Sequence, residues 1–165
     1  MRAQFNRFRR EDGQALVELA FVIPVVLLFL FGIIDFGLAL NQQNSDTNIA
    51  NIAVREAAVV GTTTTALCGT TTETSLGDWA KCESTSIGGP TLSNVCVADT
   101  ASSSPTNTYT TGDPVKVEVT SSFSWLKLIT GQVSNLTSVI GANATMRVEG
   151  TLTGTNPFLS PTCTA

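Results

Sequence analysis

Charge disappears from the chain for 16 residues between Leu19 and Ile34, and from Gln14 to Leu40 only Glu18 and Asp35 interrupt an apolar run. Phe21-Val22-Ile23-Pro24-Val25-Val26-Leu27-Leu28-Phe29-Leu30-Phe31 is apolar on every side of a helix, where a helix on a soluble core keeps a polar stripe. A bilayer is crossed by about 20 such residues. The pattern predicts a transmembrane helix over residues 14–40. Past it, Asn41-Gln42-Gln43-Asn44-Ser45-Asp46 is polar, and then Ile49, Ile52, Ala53, Ala57 and Val60 return at helical spacing. Arg55 and Glu56 lie off that stripe and Gly61 is a natural stop, so 41–61 reads as an amphipathic extension of the same helix. The 47 residues from Gln14 to Val60 make about 70 Å of helix, more than a bilayer needs. The stretch from Asn41 to Asp46 leaves its continuity open.

A different pattern begins at Thr62. Serine and threonine supply 22 of the 51 residues from Thr62 to Gly112, with turn signals at Gly88-Gly89-Pro90 and Ser102-Ser103-Ser104-Pro105, so this insertion reads as loop-rich and without long helices. Strand alternation follows. Val115, Val117 and Val119 alternate with Lys116, Glu118 and Thr120, and Ala142, Ala144, Met146, Val148 and Leu152 alternate with Asn143, Thr145, Arg147, Glu149 and Thr151. Each strand has one apolar face, which suits a sheet packed on the outer half of the helix. Between them, Phe123-Ser124-Trp125-Leu126-Lys127-Leu128-Ile129 reads either as a buried turn of helix or as a contact surface. The fold class is α+β: a long N-terminal helix, half transmembrane and half amphipathic, on a small antiparallel sheet with a loop-rich, disulfide-containing insertion. Four segments result: a basic leader (1–13), the membrane helix (14–40), its extension (41–61) and a head (62–165).

Charge orients this layout. Arg2, Arg7, Arg9 and Arg10 precede the apolar run and only Arg55 lies in the 20 residues after Leu40, so the positive-inside bias places the N-terminus in the cytoplasm and the head outside. From residue 41 on, five basic residues face nine acidic ones, which disfavours nucleic acid as a partner. Outside the membrane, Cys68, Cys82, Cys96 and Cys163 read as up to two disulfides, with three connectivities open. A metal site is disfavoured by the wide spacing, the lack of a CxxC pair and the lack of any histidine. Catalysis and a bound cofactor find no motif: there is no paired-carboxylate motif, phosphate-cradling loop or nucleophile elbow.

Two kinds of targeting segment combine a basic head with an apolar run. A secretory signal peptide cut after Gly37-Leu38-Ala39 would release a soluble surface-binding domain beginning at Leu40, and an uncleaved anchor would keep Met1. The apolar segment is longer than the ~7 to 15 residues usual for a signal peptide.

The other kind carries a resemblance. Arg9-Arg10-Glu11-Asp12-Gly13-Gln14-Ala15-Leu16-Val17-Glu18-Leu19-Ala20-Phe21-Val22-Ile23-Pro24, then Phe31-Gly32-Ile33-Ile34-Asp35-Phe36-Gly37, Ala53-Val54-Arg55-Glu56-Ala57-Ala58 and the late Ala144-Thr145-Met146-Arg147-Val148-Glu149 resemble the TadE-like pseudopilins of the tight-adherence (Tad/Flp) type IV pilus system. The likeness is dense over residues 9–60, thin over 114–149 and absent from 62–112. It implies cleavage by a prepilin peptidase after Gly13, leaving Gln14 first and Glu18 fifth in the mature chain. It also implies other Tad pilins and pilus assembly proteins as partners, membrane lipid around the helix, and a bacterial source in which the sequons at Asn135 and Asn143 are idle.

Glu18 stands out without the family. A carboxylate within a bilayer costs on the order of 2.5 to 3.5 kcal/mol on insertion scales, so it has a partner, a task or a place among head groups. Cleavage after Gly13 would create an ammonium on Gln14, four residues earlier. In assembling pilins the resemblance gives that carboxylate to the terminal amine of a neighbouring subunit. Pro24 removes one hydrogen bond inside the helix, either loosening it for extraction or merely kinking it. Asp35, near the outer end, reads as an interfacial carboxylate facing water.

Overall fold

A computed structural model describes residues 8–59, 65–99, 109, 111–125, 137–149, 158–159 and 163, of which 8–12 are described as backbone only. Residues 1–7 of the leader, the Val60-Gly61 stop, the Ser102–Pro105 turn, Leu126–Ile129, the Asn135 sequon and Leu152 lie outside the described residues. The elements in chain order are α1 (Phe8–Val59), β1 (Ala66–Cys68), β2 (Thr71–Glu73), α2 (Leu76–Ser86), β3 (Leu92–Asp99), β4 (Pro114–Ser124) and β5 (Thr137–Arg147). The fold is α+β, a long N-terminal helix followed by small antiparallel sheets and two disulfides. Two compact units result, one ending at Leu38 and one beginning at Ala39.

The first unit holds the apolar part of α1. None of its most apolar 18-residue window is buried, and α1 is long and apolar enough to cross a membrane once. Pro24 is inside α1, where its missing N–H leaves the carbonyl four residues earlier without its helical partner.

In the second unit, the polar stretch 41–46 is helical throughout, which settles the continuity the sequence left open. Short polar side chains there bond the preceding turn: Ser45 Oγ donates to the Asn41 carbonyl at 3.2 Å and Thr47 Oγ1 to that of Gln43 at 2.8 Å. Such side chains compete with a helix when they bond outside it; here they bond along it. The sheet has the order β3-β4-β5, antiparallel throughout. Val115, Val117 and Val119 of β4 are fully buried together with Val95 and Val97 of β3 and with Ile49, Ala50, Ala53, Val54, Ala57 and Ala58 of α1, in one core. Valine suits the strand and alanine the helix, and alanine side chains let a helix approach a sheet closely. Each valine buried there contributes about 1.5 to 3 kcal/mol relative to exposure. The backbone closes the same contact, Glu149 N donating to the Ala58 carbonyl at 3.1 Å.

The insertion contains structure that serine-threonine composition concealed. Ser75 caps α2, its Oγ accepting from Asp78 N at 3.1 Å and donating to Asp78 Oδ2 at 2.8 Å, a reciprocal cap that starts a helix of 11 residues where none was expected. Trp79 Nε1 donates to the Leu67 carbonyl at 3.0 Å and fixes α2 to the small β1-β2 hairpin, whose turn uses Gly69 at φ 60°. Strand β3 was also missed, because a bulge between Leu92 and Asn94 shifts its alternation by one residue. The segment 123–129 is not a buried turn of helix over its described part: Phe123 and Ser124 end β4 and Trp125 begins a turn. Phe123 and Trp125 meet edge to face, and the ladder to β5 explains the run's apolar start.

The disulfides are Cys68–Cys82 and Cys96–Cys163, with Cα separations of 6.2 and 4.9 Å. The first ties β1 to α2; the second fixes the C-terminal segment to β3, where Cys163 N also donates to the Val97 carbonyl at 2.9 Å. They close 14 and 67 residues of sequence separation. By loop entropy, replacing Cys96 and Cys163 with serine should cost about 4 kcal/mol and replacing Cys68 and Cys82 about 3 kcal/mol. Urea unfolding of the full chain in detergent checks the order; an equal or reversed ranking would contradict it.

Candidate functional site

The residues singled out in the sequence cluster on the first turns of α1. Gly13 and Gln14 are helical, in the second turn from the described start of the helix at Phe8. Glycine costs about 1 kcal/mol relative to alanine in a helix interior, so the backbone is easier to open there than at its neighbours. A Cβ built on Gly13 meets nothing within 4 Å, so packing against the described residues does not require glycine.

Glu18 is exposed between Val17 and Leu19, themselves 58 % and 52 % exposed. Among the described residues it has no ion-pair partner; the ion pair found among them is between Lys116 and Glu118, at 2.6 Å. Residues four apart lie on one helix face, so the Gln14 backbone nitrogen and the Glu18 side chain lie on the same side of α1. Asp35 departs from expectation. It is 7 % exposed, not an interfacial carboxylate facing water.

A second polar constellation lies in the head and was not recognised from the sequence. Gln42 Nε2 donates to Ser121 Oγ at 2.7 Å and to the Ser122 carbonyl at 3.2 Å, while Ser121 Oγ donates to Asp46 Oδ2 at 2.6 Å. Asp46 is 0 % exposed, and its Oδ1 has no hydrogen-bond partner. Burial raises the Asp46 carboxyl above its ordinary value of 3.8, and the Ser121 hydroxyl bond works against that rise. The signal was present: Asp46 falls in phase with Ile49, Ala53 and Ala57, and Ser121 replaces the next valine in the series Val115, Val117, Val119. Two polar residues interrupting two apolar stripes mark a buried contact.

Cys96, Glu118 and Cys163 also bring three potential metal-ligand atoms within 4.8 Å of one another. The two sulfurs are joined in a disulfide and offer no thiolate.

The fold defines a class of protein in which an exposed apolar helix, long enough to cross a membrane, leads into a disulfide-closed α+β head. The family model described as TadE-like protein matches residues 13–58, all within α1, so over its N-terminal helix the chain is similar to the TadE-like family. No curated protein and no solved structure matches the chain.

Asp46 has a pH consequence with a definite sign. Its raised folded-state value means that the native state holds the proton more firmly than the unfolded one. Its contribution to stability is present below about pH 4 and is lost as pH rises through the folded value. Asp46→Asn keeps an acceptor for Ser121 and removes the buried charge. It should raise stability at pH 7 and flatten the fall in stability above pH 4. Thermal unfolding from pH 4 to 8 measures both; an unchanged pH profile would refute the assignment.

Proposed function

We propose that this chain is a minor pilin of a Tad pilus, cut by a prepilin peptidase between Gly13 and Gln14 at the cytoplasmic face of the membrane. Hydrolysis consumes one water, leaves a carboxylate on Gly13 and frees the amine of Gln14, which takes up a proton. The leader carries away Arg2, Arg7, Arg9 and Arg10, and with them the charge that holds the N-terminus in the cytoplasm. The mature helix then joins other pilus subunits side by side, and the acidic head primes, caps or modifies the fibre from outside.

The observation that carries this reading is Glu18, a carboxylate on an exposed apolar helix, four residues after the nitrogen that cleavage would charge. An ammonium and a carboxylate in a medium of low dielectric each lower the cost of the other, and a pair formed between neighbouring helices fixes their stagger. Gly13 supports the cleavage site, because no packing contact among the described residues asks for a glycine. The secretory alternative fits less well. Its apolar run is longer than the ~7 to 15 residues usual for a signal peptide.

Mass spectrometry of the protein from its native membrane should find Gln14 at the N-terminus, and Leu40 or Met1 there would overturn the proposal. In Gly13→Val the leader should remain and pili should be lost. Glu18→Gln should be processed normally yet fail to assemble, with at least a tenfold drop in pilus recovery, about 1.4 kcal/mol or more of lost pairing. Normal piliation by both variants would leave no role for either residue.

A further inference from the structure

The two disulfides share an arrangement that chain closure alone does not require. In each, one cysteine is a buried strand residue, Cys68 on β1 and Cys96 on β3, and its partner is half-buried, Cys82 on α2 and Cys163 in the C-terminal segment. In each, a glutamate from the neighbouring element stands beside the buried sulfur. Glu83 Oε2 of α2 lies 4.0 Å from Cys68 Sγ. Glu118 of β4 is opposite Cys96 in the sheet register, with a carboxylate oxygen within 4.8 Å of both sulfurs of the second bond. The hydroxyl nearest the first bond gives its proton elsewhere: Thr71 Oγ1, 3.9 Å from Cys82 Sγ, donates to the Cys68 carbonyl at 2.9 Å. At the second bond Lys116 Nζ, 2.6 Å from Glu118, offsets part of the negative charge.

We propose that Glu83 and Glu118 guard the two bonds against thiol–disulfide exchange. Exchange begins with attack by a thiolate, and the half-buried sulfurs of Cys82 and Cys163 are the ones a reagent can reach. With a dithiol, one reagent sulfur bonds to Cys82 Sγ, the Cys68–Cys82 bond breaks, and Cys68 Sγ leaves with the electron pair. The second reagent sulfur then displaces Cys82 and closes the reagent's own disulfide, so that two electrons and two protons pass from the dithiol to the protein. The same sequence at Cys163 expels Cys96. In both cases the departing sulfur becomes a thiolate in a buried place beside a carboxylate. Burial and a like charge each disfavour that thiolate, and a poorer leaving group slows exchange. The carboxylates also repel the incoming thiolate. Each glutamate therefore stands at the sulfur that has to leave, where a negative charge slows the reaction most.

This guard concerns the head alone and does not depend on cleavage at Gly13, so the two can fail separately. The test exposes the full chain, folded and oxidised in detergent, to dithiothreitol, quenches with N-ethylmaleimide at intervals and measures the opening of each bond by peptide mass spectrometry. Glu83→Gln should speed the opening of Cys68–Cys82 at least about threefold and leave Cys96–Cys163 unchanged, and Glu118→Gln should do the converse. Lys116→Gln should slow the opening of Cys96–Cys163, although it breaks the same ion pair as Glu118→Gln. Opposite signs from the two ends of one ion pair separate charge from packing, since a loosened strand would speed both. The accelerations should shrink in about 1 M salt, where the screening length falls to about 3 Å. The proposal is overturned if neither glutamine variant speeds its own bond, if either speeds both bonds alike, as opening of the whole head would, or if Lys116→Gln speeds the opening of Cys96–Cys163.

Discussion

The head depends on one contact, the alanine-rich face of α1 from Ile49 to Ala58 against the valine face of β3 and β4. Helix and sheet each carry a single apolar face in this part of the chain, and neither is stable in water until it covers the other. The choice of side chains follows. Alanine gives the helix its propensity and lets the axis come close, while β-branched valine stiffens the strand and fills the space left by the small residues. The other parts of the head attach to this contact from outside. Strand β5 extends the sheet beside β4, the second disulfide ties the C-terminal segment to β3, and α2 closes the end of β3 through its own tether to the β1-β2 hairpin.

Within that apolar contact the chain keeps one polar line, Gln42 to Ser121 to Asp46. Valine at 121 and leucine at 46 would have continued both stripes without the burial penalty of a carboxylate. A buried hydrogen bond is satisfied in only one register, whereas apolar faces tolerate sliding, so the line fixes where along the helix the sheet sits. The same economy appears at the other polar position of the helix. Glu18 has no partner within its own chain among the described residues, and a carboxylate in lipid without a partner calls for one from elsewhere. Asp46 thus meets its partner inside the head, whereas Glu18 meets none among the described residues, although both are acids on otherwise apolar stripes.

The sequence was most legible where one physical demand dominates. The apolar run from Leu19 to Ile34 is apolar on every side, as a membrane-crossing helix must be, and the strands at Val115–Val119 and Ala142–Met146 alternate because one face is dry. Legibility failed where two demands overlap. Asn41–Asp46 leaves the helix's continuity open in the sequence because six polar residues interrupt the apolar pattern, whereas Gln42 and Asp46 bond the sheet and Ser45 bonds its own helix. The insertion looked like loop because threonine and serine dominate it, yet Ser75 and Asp78 form a start signal at the spacing a helix cap requires. Strand β3 was hidden by its bulge, since period-two reading fails when one residue is inserted. Disulfide pairing could not be read at all, because spacing along the chain carries no information on which strands become neighbours.

The division of α1 follows from its surroundings more than from its residues. Leu16, Phe21, Leu28, Phe29 and Ile33 are exposed large apolar side chains in the isolated chain, whereas Ala50, Ala53 and Ala58 are fully buried. Were the first half destined for water, those leucines and phenylalanines would form an exposed patch far larger than a soluble monomer carries. Were the second half destined for lipid, the exposed Asn44 and Arg55 would stand in hydrocarbon. Large apolar residues therefore mark the part left exposed by this chain and apolar enough to cross a membrane, and small ones mark the part covered by the chain's own sheet. The 13–58 match with the TadE-like family model spans both parts of α1 and ends before the disulfide-closed head.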